Sequence, residues 1–103
     1  MSKENILKQL KLLKEKYSQD GFNILALFGS YSTDTQNSNS DIDILYDVDS
    51  SFLDKYKGFQ SASKVLEIEK EISMVFHKKV ELTSPSGLSE NIRNKIISKA
   101  LYV

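Results

Sequence analysis

Apolar positions along the chain switch between two periods. Ile6, Leu7, Leu10, Leu13 and Tyr17 recur every three or four residues with lysines between them. That spacing predicts an amphipathic helix over 2–19, stopped at Asp20-Gly21, where glycine accepts a left-handed conformation. Residues 23–28 are almost wholly apolar and too few for a helix, so they read as an interior strand covered on both faces. Gly29-Ser30 breaks this run and opens a short helical turn. A polar connector through 36–40 leads to a second strand, 41–48, in which polar and apolar residues alternate. Phe52, Leu53 and Tyr56 stand at helical spacing in a short turn over 51–57, closed at Gly58. A longer helix follows over 59–77, with Ala62, Val65, Leu66, Ile72, Val75 and Phe76 as its expected inward stripe. Lys79 to Thr83 reads as a third strand, Ser84-Pro85-Ser86-Gly87 as a turn, and Ser89 as the cap of a last helix carrying Ile92, Ile96 and Ile97. Leu101-Tyr102-Val103 is apolar, either tucked against the core or placed in an interface. Strands interleaved with helices predict an α/β (α+β) fold, a small mixed sheet of about three strands with helices packed on it, forming a single domain over 1–103.

Composition narrows the function. The 103 residues carry 14 Lys+Arg and 14 Asp+Glu, a formal net charge of zero. Nucleic-acid and membrane surfaces attract basic proteins, so neither is an expected partner. Without cysteine there is no disulfide, zinc-thiolate site or thiol catalysis. No apolar run approaches the ~18 residues of a membrane span, and the first residues lack the apolar region of a signal peptide. The expected location is the cytoplasm.

The chemistry gathers around the first two strands. Asp41 and Asp43 flank Ile42, and residues two apart in a strand face the same side. Two adjacent carboxylates resist ionising together, and a divalent cation relieves them. Mg²⁺ is usually held by one or two carboxylates plus substrate phosphates. Gly29-Ser30 adds backbone donors at a helical start, where anions are favoured and glycine lets a phosphate approach closely. Glu81, between Val80 and Leu82, reads either as a third acid on a strand that can lie beside the second or as an exposed edge-strand glutamate. Asp47 and Asp49 read as solvated loop charges. His77, the only histidine, reads as a helix-end residue outside the chemistry.

Gly29-Ser30, ten intervening residues, then Asp41-Ile42-Asp43 together resemble the signature of the polymerase-β-type nucleotidyltransferases. The small size and Glu81 resemble the minimal nucleotidyltransferase branch of that superfamily. The resemblance spans nearly the whole chain. It implies an antitoxin paired with a HEPN-family ribonuclease toxin, transferring AMP from ATP, with Mg²⁺, to a tyrosine hydroxyl of that toxin. It also implies roles: Asp41, Asp43 and Glu81 as catalytic metal-binding acids, Gly29 and Ser30 as holders of the nucleotide triphosphate. The chain departs from the family pattern after the Gly-Ser pair. Tyr31-Ser32-Thr33-Asp34 has neither the usual arginine nor a second glycine, and the third acid is Glu rather than Asp. A catalytically degenerate antitoxin that neutralises the toxin by binding alone is the alternative that this departure suggests.

Overall fold

The computed structural model describes residues 2–37 and 39–103; Met1, and Ser38 of the predicted 36–40 connector, lie outside them. Helix α1 spans Lys3–Ser18, its first turn capped by the Ser2 hydroxyl, which accepts from the Asn5 amide. Strand β1 is Phe22–Phe28, and a single 3-10 turn, Gly29–Tyr31, follows it directly. Strand β2 is Ile42–Val48 and the short helix α2 is Ser50–Lys55. Asp49 is exposed, as expected of a solvated charge, and also caps α2 by accepting from the Ser51 and Phe52 amides. Helix α3 covers Phe59–Phe76 and ends at His77, whose φ of +53° is the left-handed conformation of a helix C-terminus. Strand β3 is Val80–Thr83, helix α4 is Glu90–Lys99, and a two-residue strand β4, Leu101–Tyr102, follows it.

The four strands form one sheet in the order β3-β2-β1-β4. β1 runs antiparallel to both β2 and β4, while β2 and β3 are parallel. The parallel pair requires a crossover, and α2 with α3 supplies it. The expected sheet thus gains one strand: the apolar end of the chain pairs with β1, and Val103 N donates to Leu25 O at 3.0 Å. β1 thereby becomes an interior strand, as its unbroken apolar run predicts.

The core joins Ile6, Leu10 and Tyr17 of α1 to Phe22, Ile24, Leu27, Ile42 and Ile44 of the sheet and to Ile68, Ile72 and Phe76 of α3. Phe22 stacks on Tyr46 with ring centroids 4.9 Å apart, and Phe52 anchors α2 beside it. The inward stripe of α3 differs from the predicted one. Leu66 is 58% exposed, Val75 44% exposed and Ala62 exposed, whereas Ile68, absent from the prediction, is fully buried. Val65, Ile68, Ile72 and Phe76 form a narrow stripe, and Leu66 and Val75 sit on its flanks. α4 is also less covered than its isoleucines suggest, with Ile92 51% exposed. No helix among the described residues is long and apolar enough to cross a membrane.

Candidate active site

Sheet register brings the acids together. Asp43 is the partner of Phe28 across the antiparallel pair and of Glu81 across the parallel pair. Directly paired residues share a face, so Phe28, Asp43 and Glu81 form one row across three strands. Val80 turns into the core on the opposite face. Asp43 is half-buried, and its carboxyl is pushed up to about 6. Burial contributes most; the Glu81 charge, a hydrogen bond shared with Glu81 and the Asp41 charge add to it. Asp41 joins the group through a cation. Lys79 Nζ stands 3.4 Å from Glu81 Oε1 and 4.0 Å from Asp41 Oδ2. Among the described residues no group of three acidic, histidine or cysteine side chains is arranged to hold a metal ion by itself. The donor chemistry nevertheless fits magnesium: the oxygens are hard, their charges repel, and that ion needs only one or two carboxylates when phosphates complete its shell.

The turn after β1 is pressed against this row. Gly29 has φ +76°, and a Cβ placed on it would fall on the Asp43 carboxylate. Glycine is therefore required twice, for the backbone angle and for the close approach of the acid. The turn is rigidly closed. The Gly29 carbonyl accepts from the Ser32 amide at 3.1 Å and the Ser32 hydroxyl at 2.9 Å, and the Ser30 carbonyl accepts from the Thr35 amide at 3.0 Å. Tyr31, 2% exposed, plugs the turn into the core. The Ser30 side chain makes no hydrogen bond among the described residues, which leaves its hydroxyl available. Asp34, the acidic departure from the family pattern, is paired with Lys3 of α1 at 2.9 Å, so its charge is offset away from the turn.

The third acid is held by α3. β3 is an edge strand, and its outward amides are not left bare. Ser73 Oγ accepts from the Val80 amide and Glu69 Oε2 from the Leu82 amide, each at 3.1 Å. These two bonds flank Glu81. On the other side of the turn a cavity of about 320 Å³ lies between Phe28, Gly29, Ser32 and Thr33 and the α4 residues Lys95, Ile96 and Lys99. Another, of about 300 Å³, lies between β2, α2 and α3 around Tyr46 and Phe52, and none of the three acids lines it.

The structure thus places all five predicted site residues around one end of β1 and β2. Asp43 meets Glu81 and Gly29 directly, Asp41 meets Glu81 through Lys79, and Ser30 stands in the turn. Sequence reading missed Tyr31 and Lys79. The second was legible, because Lys79 is two residues before Glu81 and so shares its face.

The chain matches the polymerase beta nucleotidyltransferase family over residues 4–103. It is 34% identical over 99 residues to a chain of Methanocaldococcus jannaschii provisionally named a protein adenylyltransferase, covering 96% of this chain and 90% of that one. It is 28% identical over 93 residues to the protein adenylyltransferase MntA of Thermococcus cleftensis, covering 90% and 83%. Among solved structures, a chain described as a minimal nucleotidyltransferase superposes with a TM-score of 0.75 at 16% identity, covering 100% of this chain and 97% of that one. A toxin–antitoxin structure with AMP-PNP superposes at 0.59 and 20% identity, covering 99% and 72%. The carboxylate row, the glycine turn pressed against it and these matches lead to one assignment: the chain belongs to the polymerase-β-type nucleotidyltransferase family.

Proposed function

We propose that the protein is a Mg²⁺-dependent protein adenylyltransferase that acts as a single-domain cytoplasmic antitoxin, moving AMP from ATP to a tyrosine hydroxyl of a HEPN-family toxin. The observation that carries this reading is the Asp43–Glu81 pair facing the Gly29 turn. The names of the relatives, and the toxin–antitoxin fold neighbour with AMP-PNP, favour the acceptor and the nucleotide. Gly29 and Ser30 hold the triphosphate through backbone amides and the Ser30 hydroxyl. Asp41, Asp43 and Glu81 are the residues that would hold magnesium, which when bound supplies neutralisation of the phosphate charge. The tyrosine oxygen attacks the α-phosphorus, the bond from that phosphorus to the bridging oxygen of the β-phosphate breaks, and pyrophosphate departs. The Glu81 carboxylate takes the tyrosine proton.

The test is incubation of the protein, Mg²⁺ and α-labelled ATP with the toxin encoded by the adjoining gene. Label is expected on a toxin tyrosine, and Asp43→Ala is expected to abolish it. Absence of label with every nucleoside triphosphate would sink the enzymatic reading. A second reading, neutralisation by binding alone, is favoured by the lack of a basic residue in the turn over 29–35. It expects the Asp41→Ala, Asp43→Ala double variant to protect cells as well as the parent.

A further inference from the structure

We infer that Lys95 and Lys99 of α4 form the cationic wall for the outer phosphates of the nucleotide. The inference rests on the adenylyltransferase reading and names side chains that would serve the same site. The segment 29–35 contains no Lys, Arg or His, and its single charge, Asp34, is negative and already paired with Lys3. A triphosphate tail laid on that turn would meet amides and hydroxyls but no cation from the turn itself. The structure brings two cations from elsewhere.

Their position follows from the sheet. In the β1–β4 pair, Leu27 partners Leu101 and Ala26 partners Tyr102. Lys99 closes α4 two residues before Leu101, which brings the end of that helix beside the end of β1. Lys95 lies one helical turn earlier on the same face of α4. Both line the 320 Å³ cavity with Gly29, Ser32 and Thr33. Gly29 also touches the Asp43 carboxylate, so the cavity and the acid row share a wall one residue thick.

The charges call for an anion. Lys95 and Lys99 are like charges at i and i+4, an arrangement that repels. Among the described residues neither has an acidic partner. Placement in the last turn of α4 accounts for Lys99 through the helix dipole, but Lys95 stands further from that end. The lining of the cavity is almost wholly apolar, the stems of both lysines included, so their ammonium groups stand in solvent at its mouth. The acid row and the lysine pair stand on either side of Gly29, so a triphosphate tail resting on the turn would have the acids on one side and the lysines on the other.

The experiment is calorimetric binding of a non-hydrolysable ATP analogue, ADP and AMP, each with Mg²⁺, to the parent and to Lys95→Met and Lys99→Met, singly and together. Methionine keeps the apolar stem and removes the charge. Each substitution is expected to weaken the triphosphate analogue about tenfold, the size of one lost charge-assisted hydrogen bond. ADP should be weakened less and AMP left unchanged, and arginine at both positions should restore binding. Both lysines are exposed, so the melting temperature should not fall. Unchanged triphosphate binding in the double variant overturns the inference while leaving the enzyme reading intact. Equal loss of AMP and triphosphate also overturns it, because the cavity would then take base or sugar. A parent protein that binds no nucleotide overturns both.

Discussion

At the scale of single residues, Asp43 is the carboxylate that burial and its acidic neighbours perturb most. Its ordinary value of 3.8 rises to about 6 in the fold, so the folded state holds the proton more tightly than the unfolded chain. The sign follows. Below about 4 the group is neutral in both states and costs nothing, and as pH rises towards about 6 the fold must accept a charge that the unfolded chain carries freely. Stability from this group therefore falls across that window and stays reduced above it. Taken in full, the displacement would amount to about 3 kcal/mol; screening of a half-exposed carboxyl reduces it to roughly 1. Asp43→Asn is expected to melt about 4–8 °C higher than the parent at pH 7.5 without divalent metal, and to match it at pH 4. Thermal unfolding followed by circular dichroism across that range checks both ends. This cost explains why the acid was legible before the structure. Asp41-Ile42-Asp43 violates the rule that strand residues near a core avoid charge, and such violations gather at functional sites. Gly29 was equally legible as a break after an apolar run, but its contact with Asp43 depends on the β1–β2 register, which no local pattern encodes.

At the scale of elements, β3 shows how a short edge strand can hold a site residue firmly. Its four residues pair with β2 on one side, and Ser73 and Glu69 of α3 take up the Val80 and Leu82 amides on the other. Replacing both acceptors with alanine is expected to cost about 1 kcal/mol per bond. Hydrogen exchange should quicken at Val80 and Leu82 while Leu27 and Ile44 in the sheet interior stay protected. Equal protection everywhere would mean that pairing with β2 alone secures Glu81. The helices and the three longer strands were readable from periodicity. The face of α3 was not, because apolar residues spread around more of the helix than the sheet covers, leaving Leu66 and Val75 at the margins. β4 was beyond reach for another reason. Two or three residues hold no period, and only the free edge of β1 determines where they go.

At the scale of the whole molecule, a net charge of zero conceals a separation: acids gather on one side of the Gly29 turn and α4 lysines on the other. Composition averaged this away, which is why the lysine wall could not be read from the chain. A ligand carrying both signs should stabilise the fold strongly. With a non-hydrolysable ATP analogue and Mg²⁺ at about 100 times the dissociation constant, the gain is about 2.7 kcal/mol, a rise of at least about 10 °C in the melting temperature. Asp41→Ala should lose most of that rise. Lys79 gives this binding an order. Its ammonium, tethered to β3 and largely open to solvent, already bridges Asp41 and Glu81. It behaves as a stopper on a short chain: a few bond rotations swing it aside, yet it never diffuses off. A lone divalent ion must compete with an occupant whose local concentration is fixed by covalent attachment, whereas an ion arriving on a nucleotide brings phosphate oxygens that can receive the displaced ammonium. The resting protein should therefore sequester little free magnesium and fill this site chiefly when nucleotide and metal come together.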